Sequence, residues 1–541
     1  MEWEAAILKK KAQRTASIQK FSRLEKSAER STFAERLVGN VDVPTLTKLY
    51  AEGNITVEDI VVAFIARGAS CFSQMTLLTS SETNCLTEVL FENALQQARE
   101  LDRYHRQHRE LIGPLHGVPV SLKDQFDIAS VDTTFGYVGR SFQPASKDAT
   151  VTKILKDLGA VILTKTNVPQ TILWGETENP IWGLTTLPHK PAFTAGGSSG
   201  GEAALLALDG ALCGWGTDIG GSIRGPSHFN GLFGLKPTSS RISHRGVPGP
   251  HEGQEHVPSS VGPMSKRLTS LVTVTRAVLN AQAWLSDPKV VPIPWREGLY
   301  LEVQTRRLKI GLILDDGIVK PHPPVERAVK EAAALLRNAG HEVIIWDTSE
   351  HMGFIEIQDQ FYRADGGEDI RRDISAGGEP MIPHVEALVE SSKAISVYEY
   401  WQLNKAKMLA QQAYNEKWTK SGVDVLLSPV AGHTALPHRC FRYTGYTKIW
   451  NFLDYTAMSF PFTTVSEDLD SEDICRTSGT DTSALDEVRN PLDTYNQGLW
   501  DLASMKGLPV GVQIIGRRFD EEKVLGVAKV LEKEIEKQKQ V

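Results

Sequence analysis

The 541-residue chain has no Cys-x-x-Cys pair, and its five cysteines, at 71, 85, 213, 440 and 475, stand far apart. An odd, dispersed set argues against a disulfide framework and a structural zinc site, and it fits a reducing compartment. No apolar run approaches the roughly 18 residues of a membrane span. A basic excess is missing too. The 59 Lys+Arg stand against 66 Asp+Glu, a formal charge of −7, so the broad positive face that nucleic-acid binding requires is not expected. The N-terminus has acids at Glu2 and Glu4, a short apolar patch at Ile7 and Leu8, and the run Lys9-Lys10-Lys11, which is not a secretory signal. The last residues, Gln538-Lys539-Gln540-Val541, match no peroxisomal or ER address. A cytoplasmic protein is expected. No internal repeat is found.

Apolar material is ample at 41%, which rules out disorder as the main state. Residues 1–40 carry nine Lys/Arg against five Glu and read as a charged surface helix packed on the body. Three- and four-residue apolar spacing predicts helices over Ile55–Ala66 and Leu90–His108. From about residue 112 the texture changes to short apolar runs alternating with helices. Strands are predicted at Val118–Leu122, Ala160–Thr164, Lys309–Leu314, His341–Trp346, Val423–Ser428 and Val510–Ile515. Helices are predicted at Thr150–Leu158, Pro323–Ala339 and Glu521–Lys537. Residues 363–395 read as a loop excursion and 466–490 as an exposed acidic loop. The alternation indicates an α/β architecture. The expected division is a helical segment, 1–110, packed on a catalytic body, 111–541.

Three stretches could carry chemistry. Lys123 closes the run Val118-Pro119-Val120-Ser121-Leu122. A lysine there could be partly buried, and burial lowers its pKa toward that of a usable base. Gly196-Gly197-Ser198-Ser199-Gly200-Gly201 lacks the Lys-Ser/Thr ending of a phosphate loop. It matches a nucleophile elbow only on paper, because the residues before it are loop-like and not a buried strand. It also reads as a rigid turn whose hydroxyls could join a proton relay. In Gly216-Thr217-Asp218-Ile219-Gly220-Gly221-Ser222-Ile223-Arg224, consecutive glycines let backbone N–H groups converge beside a serine, which suits an oxyanion.

Together these stretches resemble the amidase signature family of serine hydrolases. Ala195–Pro237 carries nearly the whole signature, ending in Gly231-Leu232-Phe233-Gly234-Leu235-Lys236-Pro237. Lys123 precedes Ser198 by 75 residues and Ser198 precedes Ser222 by 24, as the family shows. The resemblance runs from about Leu111 to Gly516 and is strongest to fungal acetamidase-type enzymes, with broader similarity to fatty-acid amide hydrolase. It implies a large mixed twisted sheet with helices on both faces and an N-terminal helical decoration. It further implies a Ser–Ser–Lys triad: Ser222 as nucleophile, Ser198 as bridge after a cis peptide bond, and Lys123 as base. Backbone N–H groups of Ile219, Gly220, Gly221 and Ser222 match the oxyanion hole. Thr217, Asp218, Arg224 and Ser199 match supporting positions. Leu187 and Ala195 depart from residues common beside the site.

The implied reaction is amide hydrolysis to acid plus ammonia or amine through an acyl-enzyme, with no metal or organic cofactor needed. The alternatives are carbamate or ester hydrolysis, acyl transfer by the same triad, or an amidotransferase A-type subunit. The expected partner is a small-molecule amide, small or aromatic. Nucleic acid is not expected, and assembly as a homo-oligomer is compatible with the sequence. Phe135 and Trp174 are candidate acyl-pocket residues. His433, His438 and Cys440 read as a loop near the pocket mouth and not as a metal site. Glu176 and Glu178 read as solvated or capping acids. The region 380–420, expected to cap the pocket, has no long apolar face in this reading.

Overall fold

The computed structural model describes residues 3–25, 32–70, 83–471 and 489–540. Eleven strands form one mixed sheet. In chain order they are β1 (Leu86–Val89), β2 (Pro119–Lys123), β3 (Val161–Thr166), β4 (Cys213–Asp218), β5 (Phe233–Lys236) and β6 (Ser260–Ser265). There follow β7 (Lys309–Leu312), β8 (Glu342–Ile345), β9 (Val425–Pro429), β10 (Ala457–Thr464) and β11 (Pro509–Ile515). Their order across the sheet is β1-β3-β2-β4-β6-β5-β10-β11-β9-β7-β8. The trios β3-β2-β4 and β9-β7-β8 run parallel, and the central strands between them pair antiparallel.

Strands β2, β3, β4 and β6 are buried at every residue. Successive side chains point to opposite faces, so total burial means that both faces of the sheet centre are covered by other elements. The α/β reading and the mixed sheet therefore stand. Lys123 is the last residue of β2, so the same burial carries its side chain away from water.

Several local expectations change. The segment 1–110 is not only helical, because Leu86–Val89 adds an antiparallel strand to the edge of the sheet at β3. Residues 363–395, read as loop, contain the helices Glu368–Gly377 and Pro383–Ser391. Their polar sequences hide narrow apolar stripes: Ile370 and Ile374 on the first and Val385 and Val389 on the second are buried together in one cluster. Of the acidic stretch 466–490, residues 472–488 lie outside the described residues. Its beginning is the short helix Glu467–Asp470, where Asp470 is buried against the Arg327 guanidinium at 2.7 and 2.9 Å. Among the described residues no helix is long and apolar enough to cross a membrane.

The first helix, Trp3–Glu25, does pack on the body, through charge as well as apolar contact. Lys10 is buried, with its ammonium 2.9 Å from Asp132 Oδ2 and paired with Glu88. Arg14 donates to Leu86 O at 2.7 Å, and its guanidinium lies 5.0 Å from the Trp182 ring centroid. A buried lysine is tolerated when paired, and its loss strands its partners without counter-charge. Lys10→Met should therefore destabilise the fold by about 3 kcal/mol, read as a lower urea midpoint at unchanged slope. A midpoint equal to the wild type would show that the helix contributes no such anchoring.

Candidate active site

Parallel pairing of β2 with β4 places Lys123 next to the turn that leaves β4. The Gly/Ser turn before the helix Gly200–Ala207 arrives from the other side. Lys123 Nζ lies 2.7 Å from Ser198 Oγ and 2.8 Å from Thr217 Oγ1. Thr217 Oγ1 donates to Gln125 Oε1 at 2.6 Å, so its own proton is committed and it can only accept from the amine. A neutral amine held that way keeps a lone pair for the Ser198 hydroxyl. Lys123 is 0% exposed. Burial lowers its pKa to about 7 against the opposing pull of Asp218 and Glu202.

The turn Ile219–Ser222 is held from outside by its carbonyl groups. Ile219 O accepts from Tyr362 OH at 2.7 Å and from Gln358 Nε2 at 3.1 Å. Gly220 O accepts from Thr447 Oγ1 at 2.7 Å, and Gly221 O from Gly225 N at 2.7 Å. In a trans peptide the N–H points opposite to the preceding carbonyl. Anchoring Ile219 O and Gly221 O therefore turns the N–H groups of Gly220 and Ser222 to the other side. The Gly221 N–H is committed, donating to Asp218 Oδ1 at 2.8 Å. Gly221 has φ +132°, and a Cβ there would lie 2.3 Å from Thr447 Oγ1, so only glycine fits.

Asp218 and Arg224 brace this turn, and both are fully buried. The Asp218 carboxylate accepts from Arg224 Nη2 at 2.8 Å and Nε at 3.0 Å, and from Ile223 N and Asn451 Nδ2. Burial alone would raise the Asp218 pKa, but the Arg224 charge and hydrogen bonds hold the carboxyl far below the usual range. Arg224 Nη1 reaches on to Thr447 O and Gln513 Oε1, tying the turn to β11. Ser199 acts through its backbone, its N–H donating to Ser222 O at 3.2 Å, while its Oγ is buried without a partner. The Gly197–Ser198 peptide bond is cis. A Cβ on Gly197 would lie 2.4 Å from Glu176 O and 2.6 Å from Trp174 O.

Ser222 stands on the shared wall of two cavities. One, of about 210 Å³, is bounded by the Ile219–Ser222 turn and by Trp174, Phe229, Phe441, Tyr443 and Tyr446. The other, of about 880 Å³, is bounded by Ser198, Thr217 and the segment 244–255.

A family model described as "Amidase" matches residues 71–525. The chain belongs to the amidase family. It is 52% identical over 499 residues to Amidase 1 of Gibberella moniliformis, covering 91% of this chain and 92% of that one. It is 37% identical to the acetamidase of Emericella nidulans over 92% of this chain and 89% of the relative. Among solved structures, a fatty acid amide hydrolase superposes with a TM-score of 0.87 at 30% identity, over 93% of this chain and 87% of that one. As an amidase the chain is a hydrolase of amide bonds, and the fungal flavour of its signature agrees with its fungal relatives.

Within this amidase, sequence-predicted residues converge unevenly. Lys123, Ser198, Thr217, Asp218, Arg224 and the turn Ile219–Ser222 come together. Trp174 lies on the wall of the smaller cavity, stacked on His384 with centroids 4.1 Å apart. Phe135 does not line either cavity. It is buried in a separate cluster with Tyr137 and Val168, under the Arg140 guanidinium at 4.1 Å. Glu176 is neither solvated nor a helix cap. It is buried and accepts from the N–H groups of Arg439 at 2.7 Å and Phe441 at 2.9 Å, which sets Phe441 in the cavity wall. Glu178 pairs with Arg439 at 2.6 Å. His433 is buried beside Phe229 and Phe441, and His438 faces Pro191 O.

Three side chains escaped the sequence reading. Glu202, fully buried, accepts from Ser121 and from Thr166 at 2.6 Å, and burial lifts its pKa to about 7. A lone acid in the apolar run Gly201–Leu208 was the available signal. Tyr362 and Gln358 had none, because nothing in their local sequence points at a turn some 140 positions away. Tyr362→Phe leaves Ile219 O to Gln358 alone. The expected outcome is about a tenfold fall in kcat with little change in KM, less than the loss of a direct oxyanion donor. An unaltered kcat would show that the turn needs only Gln358.

Proposed function

We propose that this amidase cleaves its substrate through an acyl-enzyme on Ser222, with Ser198 as proton bridge and Lys123 as base. The observation that carries this reading is a lysine with no exposure, 2.7 Å from the hydroxyl of Ser198, behind the cavity wall to which Ser198 and Ser222 both contribute. A serine hydroxyl needs a base within reach to act as a nucleophile at neutral pH. The relay answers that need. Ser222 Oγ bonds to the carbonyl carbon and passes its proton to Ser198 Oγ, as Ser198 passes its own to Lys123 Nζ.

Charge that develops on the carbonyl oxygen is met by the N–H groups of Ile219, Gly220 and Ser222. Gly221, the fourth expected donor, is left out because its N–H belongs to Asp218. Arg224, Asp218, Tyr362 and Gln358 are positioning residues for that turn. In reverse the relay protonates the amide nitrogen, the C–N bond breaks and the amine leaves. Water then attacks the ester with the same base, releasing the acid and restoring Ser222.

The acyl group fits the smaller cavity, whose wall includes the Ile219–Ser222 turn. Its aromatic lining and a volume of about 210 Å³ favour a short or aromatic acyl chain. The buried free thiols of Cys85 and Cys213 accord with the reducing environment of the cytoplasm.

Intact mass after incubation with a small sulfonyl fluoride tests the nucleophile. One adduct is expected on the wild type and none on Ser222→Ala, which should also lose turnover. An adduct retained by the mutant would move the nucleophile elsewhere.

The base makes a second prediction. Lys123 acts when neutral, and its pKa of about 7 puts half of it in that form near neutrality. Log kcat/KM should level off above about pH 8 and fall with unit slope below about pH 6. A profile flat from pH 8 to 5 would remove Lys123 from the role.

A further inference from the structure

The relay of the preceding section, on which this inference rests, puts a proton on Lys123 Nζ. A neutral amine becomes an ammonium at a place with no exposure to water. A buried charge without a partner is costly, so the step needs a counter-charge inside the protein. The groups that touch the amine, the hydroxyls of Ser198 and Thr217 and the Thr217 carbonyl, supply none.

Two carboxylates act on Lys123, Asp218 and Glu202. Asp218 is already neutralised, with Arg224 bound to both of its oxygens. Glu202 is not. Its hydrogen-bond partners are two hydroxyls, Ser121 Oγ and Thr166 Oγ1, the latter at 2.6 Å. Those hydroxyls set it beside Lys123. Ser121 lies two residues back on β2, so its side chain shares a face with that of Lys123. Thr166 is the residue of β3 that pairs with Lys123. Gly214 of β4 pairs with Ser121, and a Cβ there would overlap Glu202 Oε1. The carboxylate therefore lies over three strands, next to Lys123 and without a hydrogen bond to it.

The other ionisable groups around the pair are neutral or engaged elsewhere. Burial keeps His244, which faces Lys123, neutral at a pKa of about 4. Burial raises the Cys85 thiol, which faces Glu202, to about 11. Asp124 accepts from Thr87 and Thr134, and Lys165 donates to Asp132 O. On the helix Arg224–Asn230, packed against that of Glu202, Arg224 is held by Asp218, and His228 turns to Gly511 N and His433 O.

We infer that Glu202 is the counter-ion that stabilises the ammonium formed on Lys123 during acyl transfer. It is a positioning residue, since it touches neither the substrate nor the hydroxyls of the relay. Glu202 stays a carboxylate throughout. The proton that Lys123 takes from Ser198 returns by the same path to the departing nitrogen, and no bond to Glu202 forms or breaks. Set back behind two hydroxyls, the carboxylate favours the ammonium without holding the amine charged at rest.

Glu202→Gln keeps the shape of the side chain, and its amide can still pair with Ser121 and Thr166. Only the charge is lost. An anion near Lys123 favours the ammonium, so removing it lowers the pKa of the base and moves the acid limb of log kcat/KM to lower pH. The midpoint should fall by at least about half a unit. The alkaline plateau of kcat should fall at least about threefold, which is half a unit expressed as a rate. A merely loosened core would lower kcat without moving the midpoint that way. If Glu202→Gln does not fold, Thr166→Val provides the test. It removes one hydrogen bond that favours the charged carboxylate, and the midpoint should fall by at least about 0.2 unit.

A smaller fall in any of these quantities, or a rise, overturns the inference and leaves Lys123 as the base. A wild-type profile with no acid limb from about pH 8 to 5 removes Lys123 from the role and Glu202 with it.

Discussion

Lys123 reaches the site at the end of a strand with no exposed residue, and water does not follow it. Desolvation penalises the ammonium, and the two acids near enough to oppose that penalty do so only in part. Asp218 spends its charge on Arg224 and on the N–H groups of its own turn. Glu202 is itself buried and hydrogen-bonded to Ser121 and Thr166, with its own pKa raised toward neutrality. A carboxylate in direct contact with Lys123 would have kept its amine charged. What touches the amine instead is the hydroxyls of Ser198 and Thr217, with the Thr217 carbonyl at 3.5 Å.

The remaining structure can be understood as what it takes to keep that amine dry and aimed. Parallel neighbours on both sides of β2 cover its edges, and the close approach of β4 delivers Thr217. The buried Asp218–Arg224 pair is a costly arrangement for stability alone, since an apolar pair of similar size often does as well. Here it organises three backbone segments around one turn, from β4 through Thr447 to Gln513 on β11. The carbonyls of that turn face outward to Tyr362, Gln358 and Thr447. The N–H groups of Gly220 and Ser222 are thereby turned to the opposite side, while that of Gly221 is held by Asp218.

The same constraint shapes the approach to Ser222. One cavity is aromatic, with Phe441 set by the buried Glu176 and Trp174 stacked on His384. The other is larger and is bounded by Ser198, Thr217 and the segment 244–255. Ser222 stands where the two meet. The polar-looking segment 363–395 matters here because its helix Pro383–Ser391 carries Leu388 to the aromatic side and His384 against Trp174.

Local sequence determined a good deal of this. Apolar runs marked six of the eleven strands, whereas β4, β5, β6 and β10 escaped because glycine, proline and polar residues interrupt their apolar pattern, although β4 and β6 are buried throughout. Glycines where backbones touch, and the spacing of Lys123, Ser198 and Ser222, identified the family. Short elements with narrow apolar stripes, such as Leu86–Val89 and Pro383–Ser391, left too little periodicity to read. Tertiary structure alone decided the rest. Whether Phe135 or Trp174 reaches the cavity depends on which side of a loop faces the core. Glu176 became a buried anchor only because Arg439 and Phe441 bring their N–H groups to it. Tyr362 finds Ile219 only once the chain has folded across the sheet. Sequence specifies residue types and local spacing, whereas burial, desolvation and long-range hydrogen bonds arise from the packing of distant segments.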